Sequence, residues 1–302
     1  MRIGVSLQDP TGPSPMTALR EELQRAADQG FASAWMSNIF GVDALTALAV
    51  AGSQVPGIEV GTAVVPTYPR HPAVLAQQAR TVAAAVDGRL VLGIGLSHKI
   101  VIEDMFGYDF GRPILHMREY LAVLLPLLDG QPASFTGTTV RASIGLTTPS
   151  PGRVPVVVAA LGAQMLRLAG EQTDGTVLWM TGPATVRDHI VPILTAAAES
   201  AGRPGPRVVC ILPVCVTSDP DGARERAARV FAIYGELPSY RAMLDREGAS
   251  GPADVAIVGD EGTVAAQIAV LADAGVTDFV AGEYTGGPDG ARTRAFLRTL
   301  LS

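Results

Sequence analysis

Short Val/Ile-rich runs alternate with longer Ala/Leu-rich runs along the whole chain, and the alternation repeats eight times. A chain with that rhythm can bury its apolar runs only as parallel strands wrapped by helices. The strand-like runs are Ile3 to Gln8, about 32–37, 58–65, 89–94, Val154 to Ala159, about 175–180, 207–217 and 277–281. Two of them, VPVVVAA and RVVCILPV, are almost continuously apolar, as strands covered on both faces must be. Helix signals fall between them. Ser14 and Pro15 offer an N-cap and a first helical position, and Met16, Leu19, Leu23, Ala26 and Ala27 share one helical face before Gly30 stops it. Helical stretches follow at about 43–54, from Pro72, at 112–128, at 163–171, from Pro183, from Pro220 behind Ser218 or Asp219, at 238–247, at 262–275 and at 289–301. Residues 133–148 break the pattern, with Gly137-Thr138 marking a hairpin or an excursion rather than a barrel unit. The expected architecture is an α/β chain forming one (β/α)8 TIM barrel over residues 1–302, with an insertion between strands four and five. An open doubly wound sheet fits less well, because Asp9-Pro10-Thr11-Gly12 after strand one is not a dinucleotide-binding glycine loop.

Composition narrows the function classes. With 48 % hydrophobic residues and a net charge of -6, intrinsic disorder is excluded. The 23 basic residues against 29 acidic ones form no cluster able to neutralise a phosphate backbone, so nucleic acid is not an expected partner. Cys210 and Cys215 lie five apart in one strand run, should face opposite sides, and read as core thiols. The start, MRIGVSLQDP, carries no secretory signal, and no apolar run reaches the roughly 18 residues of a membrane helix. A soluble cytoplasmic protein with no membrane partner is expected.

In such a barrel the chemistry gathers at the carboxyl ends of the strands. Those ends open loops at Gln8, Asn38, Val65, Gly95, Ala160, Met180, Thr217 and Glu283. Three loops stand out. GTAVVPTYPRHP (61–72) is stiffened by Pro66, Pro69 and Pro72; it reads as a connector with Arg70 and His71 capping the next helix, or as a wall against a flat ligand. In VLGIGLSH (91–98), Gly93 and Gly95 allow close approach of a backbone or of a ligand, and His98 follows. Gly162 opens the helix after strand five, whose free N–H groups would suit an anion, or it is simply a packing loop. The four histidines (His71, His98, His116 and His189) are dispersed without metal-ligand spacing, and no G-x-S-x-G elbow is present. What remains suits a protein that binds and orients a cofactor bringing its own reactivity to a small-molecule substrate.

These segments together resemble the luciferase-like superfamily of flavin and deazaflavin enzymes, and within it the coenzyme F420-dependent oxidoreductases. The shared patterns are Arg70-His71-Pro72, GRLVLGIG from Gly88 to Gly95, the glycine-led helix from Gly162 to Gly175, and the module from Gly259 to Phe279. The resemblance covers essentially the whole chain. It implies F420 as cofactor, with FMN in a luciferase-like monooxygenase as the alternative and a non-catalytic cofactor-binding barrel as a third reading. It implies a non-proline cis peptide at Ala63-Val64, beside Val65, backing the ring. The cofactor phosphate would sit on Leu161, Gly162, Ala163 and Gln164. Gly95, Leu96, Ser97 and His98 would border the ribityl chain and ring, with Asn38 and Thr181 reaching in from strands two and six. A homodimer is implied as well.

One departure shapes the expected reaction. Related dehydrogenases carry Asp-His after strand two, where this chain has Asn38-Ile39. The alcohol-activating histidine is missing, which favours reduction of an activated C=C or C=N bond in a small organic acceptor. His98 is the expected proton donor, followed by Tyr108 or Glu283. The segments 99–111, 133–148 and 234–250 should shape the acceptor pocket; their aromatic and Met residues line it or merely pack the lids.

Overall fold

The computed structural model describes residues 1–10, 12–148 and 152–301. Eight parallel strands close into a barrel: β1 (Arg2–Leu7), β2 (Ser33–Met36), β3 (Glu59–Thr62), β4 (Leu90–Gly95), β5 (Val156–Val158), β6 (Gly175–Trp179), β7 (Arg207–Val216) and β8 (Asp278–Glu283). Neighbours in sequence pair around the ring, and β8 pairs with β1 through Ile3 opposite Phe279 to complete it. All eight expected strands are present.

Side chains alternate along each strand. One set points to the axis, where Trp35, Val91, Val157, Val177, Val209, Ile211 and Val280 make a compact interior cluster. The other set meets the helical jacket in a larger core that includes Leu19, Leu23 and Ala26 from the first helix. Arg207, Glu59 and Asp278 stand at the amino ends of their strands and close that end of the barrel with ion pairs. The guanidinium of Arg207 also lies 6.0 Å from the Trp35 ring centre.

Local signals explain the helix starts. Pro15, Pro72, Pro183, Pro220 and Pro238 occupy first-turn positions, where a missing N–H costs nothing. Asp43, Asp219 and Asp260 accept hydrogen bonds from first-turn amides, and His71 accepts from Ala73. Ser14 holds the N-cap position but its hydroxyl makes no capping bond. The insertion is the expected hairpin, Ala133–Thr136 against Arg141–Ile144. Its turn wraps the Glu119 carboxylate, which accepts from the amides of Thr138, Thr139 and Val140 and the Thr139 hydroxyl.

Two features depart from the sequence reading. The third strand run does not continue unbroken to residue 65. It bends after Thr62, and Val65-Pro66 pairs separately with Ile94-Gly95. A short strand, Ile257–Gly259, adds to the end of β7 where only a connection was expected. Cys210 and Cys215 are both buried: the Cys210 thiol reaches the Thr181 carbonyl, and Cys215 sulfur accepts from Thr285. No helix among the described residues is long and apolar enough to cross a membrane.

Candidate active site

The carboxyl ends of the strands bring most of the expected residues to one face. Its floor begins at the bend after Thr62. The Ala63-Val64 peptide is cis, as the resemblance implied. Ala63 and Val64 are half-buried and pack on top of the interior cluster, together with Ala159 and Trp179. The bend also explains the G-x-G of β4. A Cβ on Gly93 would overlap the Thr62 carbonyl oxygen, and one on Gly95 would lie 2.6 Å from a Val64 methyl. Of the two sequence readings, close approach of backbone is the one realised at Gly93. Thr62, which sequence reasoning passed over, secures the bend: its hydroxyl accepts from Gly93 N–H at 2.9 Å and donates to Gly93 O at 2.8 Å.

Beyond Gly95 the chain turns through Leu96 and Ser97, the latter with φ 62°, and delivers His98 to the rim. The His98 carbonyl accepts from Val101 and Ile102, which anchors the next turn. Its imidazole makes no hydrogen bond to the described residues and lies 5.6 Å from the Tyr240 ring centre. Burial lowers its pKa below the ordinary value, so the free imidazole is neutral at pH 7.

From His98 an aromatic wall runs along the rim. Tyr240 meets Tyr234 edge-on at 5.2 Å, Tyr234 meets Trp179 at 5.7 Å, and Phe231 joins Trp179 to Tyr284. Tyr234 and Tyr240 pack within this row of rings, whereas Met243 is core and Phe110 stacks on Tyr68. Met105 and Phe106 are exposed. Trp179 was not singled out from sequence, although its position two residues beyond inward-facing Val177 carries the necessary parity. Its indole N–H is buried and has no hydrogen-bond partner among the described residues.

The loops after β2 and β3 are locked together. Arg70, from the R-H-P triplet, pairs with Asp43, which caps the helix Ala44–Gly52. His71 caps the helix Pro72–Ala85 as the connector reading had it, but Arg70 does not; it is turned to the preceding helix. Asn38 accepts from Ala44 N–H through its side-chain oxygen at 3.0 Å, leaving its amino group for other partners. Thr181 is fully buried and its hydroxyl donates to the Trp179 carbonyl, so that side chain braces the end of β6.

At the end of β5, Gly162 is the N-cap of the helix Ala163–Gln172, and no side chain caps it. The first-turn amides of a helix have no intrahelical acceptors. A Cβ placed on Gly162 would meet nothing within 4 Å, and Gly162 and Gln164 are exposed. The helix after β6 differs: the Glu247 carboxylate accepts from the amides of Ala184 and Thr185. Of these two adjacent helix starts, the one at Gly162 has no carboxylate acceptor among the described residues.

Of the other two candidate proton donors, one faces away from the barrel axis and one is exposed. Glu283 ends β8 with the wrong parity: Val280 faces the axis, so Glu283 faces the helices. There it pairs with Arg294 at 2.8 Å, and both line a cavity of about 710 Å³ between the first and last helices. Tyr108 is exposed on the loop after β4. His98 alone of the three sits on the rim with the floor and the aromatic wall.

Comparison with known proteins gives this arrangement a lineage. Over 287 residues the chain is 26 % identical to a 5,10-methylenetetrahydromethanopterin reductase of Methanolobus tindarius, covering 93 % of this chain and 86 % of that one. The coenzyme F420-dependent tetrahydromethanopterin reductase of Methanopyrus kandleri superposes with a TM-score of 0.83 at 23 % identity, covering 98 % and 97 % of the two chains. An F420-dependent secondary alcohol dehydrogenase bound to an F420-acetone adduct superposes with a TM-score of 0.81 at 19 % identity, covering 99 % and 97 %. The sequence profile of the luciferase-like monooxygenases matches residues 1–278, nearly the whole barrel, and on that match the chain belongs to the luciferase-like monooxygenase family.

Proposed function

We propose that this protein is a coenzyme F420-dependent oxidoreductase that reduces an activated C=C or C=N bond of a small organic acceptor. The observation carrying this reading is the pairing of an uncapped helix start at Gly162 with a floor of Ala63 and Val64 on the same face of the barrel. Such a face fits a long ligand with a flat ring at one end and a phosphate at the other. The residues present suit it: backbone amides of Gly162, Ala163 and Gln164 would hold the phosphate, and Ala63, Val64 and Val65 would back the ring. Gly95, Leu96, Ser97 and His98 would border the middle. When bound, F420 supplies a hydride carrier.

The protein supplies alignment, dryness and a proton. The aromatic row of Trp179, Tyr234 and Tyr240 would exclude water from its side of the ring. His98 would donate the proton to the reduced product. The lack of an Asp-His pair at Asn38-Ile39 speaks against alcohol oxidation of the kind that needs a base there.

A second reading is an FMN-dependent monooxygenase, because the amides at Gly162 would hold a phosphate whatever ring it carries. Titration of the apoprotein with F420 and with FMN, followed by fluorescence, separates the two. Tight F420 binding is expected; tight FMN binding with none of F420 overturns the proposal.

A further inference from the structure

Four histidines are present, and the proposed chemistry uses one. His189 lies on the turn Val186–Ile190 after β6, and its Nε2 is 2.9 Å from the carbonyl oxygen of Leu161. A carbonyl only accepts, so Nε2 carries the hydrogen and donates. The bond crosses from one strand–helix unit to the next, and close helix packing makes it possible. The helix Ala163–Gln172 lies against Val191–Ser200 so tightly that a Cβ on Gly170 would overlap the Leu194 carbonyl and come within 2.9 Å of Ala197 Cβ. The turn bearing His189 is wound more loosely than an α-helix, and such turns re-aim side chains.

The Leu161–Gly162 peptide is where this bond acts. In a trans peptide the C=O and the following N–H point in opposite directions. Fixing the Leu161 carbonyl on His189 therefore aims the Gly162 N–H the other way. That N–H has no partner among the described residues, and it adjoins the free first-turn amides of Ala163 and Gln164.

We infer that His189 is a positioning residue: through Leu161 it orients the Gly162 amide toward the phosphate of the bound cofactor. This rests on the reading of the Gly162 helix start as the phosphate site. A charge-assisted bond from a well-aimed amide is stronger than one from an amide free to rotate.

The test compares F420 with its phosphate-free deazaflavin riboside, each titrated into apoprotein by fluorescence. The wild type should bind F420 the tighter. His189→Leu should weaken F420 by about tenfold, the scale of one hydrogen bond to a charged group, and leave the riboside unchanged. His189→Gln, whose terminal amide reaches the Nε2 position, should restore F420 binding to within about threefold, while His189→Asn, a bond shorter, should not. The Gln and Asn variants decide the matter even where Leu impairs folding. Equal F420 affinity in Gln, Asn and wild type overturns the inference and leaves the phosphate site standing. A wild type that binds both ligands equally overturns the site and the inference with it.

Discussion

The hydroxyl of Thr62 spans the main chain of Gly93, accepting from its N–H and donating to its carbonyl, both within 2.9 Å. It thus replaces the β-ladder where β3 bends away from β4. Thr62→Val keeps the shape but leaves two buried backbone groups without partners. A loss of about 1–3 kcal/mol is expected by urea denaturation, with Thr62→Ser recovering most of it. A valine variant as stable as wild type would show that water fills the role.

Glu119 organises the hairpin insertion. Burial opposes its ionisation, but the amides of Thr138, Thr139 and Val140 and the hydroxyl of Thr139 outweigh burial and hold its pKa at about 2. The folded value is below the ordinary 4.5. Its contribution to stability is therefore complete above pH about 4.5 and is lost as pH falls toward 2. Amide exchange at Thr138–Val140 should be slow at pH 7 relative to intrinsic rates and lose most of that protection only near pH 2. Glu119→Gln should lose it at both. Protection unchanged in Glu119→Gln would mean that the turn holds without the carboxylate.

The amino end of the barrel makes a separable prediction. Arg207 donates to Asp278 at 2.7 Å and to Glu59 at 2.9 Å, and Asp278 is only 2 % exposed. Arg207→Met leaves that carboxylate with Arg2 as its one remaining cation, at 3.3 Å. Breaking a buried pair from one side costs about 3–5 kcal/mol, and the loss should appear in denaturant midpoints. Cofactor affinity should not change, because the network lies at the opposite end of the strands from Gly162 and His98. A parallel drop in affinity would show that the two ends are coupled.

The barrel was legible because its signals are local. Proline at first-turn positions, Asp219 as a cap, and unbroken apolar runs in β5 and β7 act within a few residues of themselves. What escaped depends on residues far apart in sequence. Thr62 matters only because Gly93 comes to rest against it, and His189 only because Gly170 draws two helices together. Ile257–Gly259 is too short to show a period, and it forms because the exposed end of β7 offers an edge. Glu283 shows a different failure. Its place at a strand end suggested chemistry, but the parity set by Val280 sends it to Arg294. That parity was readable from sequence.

The direction in which burial shifts His98 makes its role measurable. The free imidazole titrates below its ordinary 6.5, so less of it carries a proton at pH 7 than an exposed histidine would. If it protonates the product, the rate supported by the acid form should rise as pH falls below about 6.5 and decline above it. His98→Ala should lower turnover by about 10²-fold, leave F420 affinity nearly unchanged, and abolish that acid limb. Tyr240→Phe keeps the ring that packs against His98 and should preserve the limb. Steady-state rates across pH 5 to 8, with reduced F420 and a conjugated acceptor, test both variants. A His98→Ala enzyme with wild-type turnover and the same pH profile would assign the proton to water.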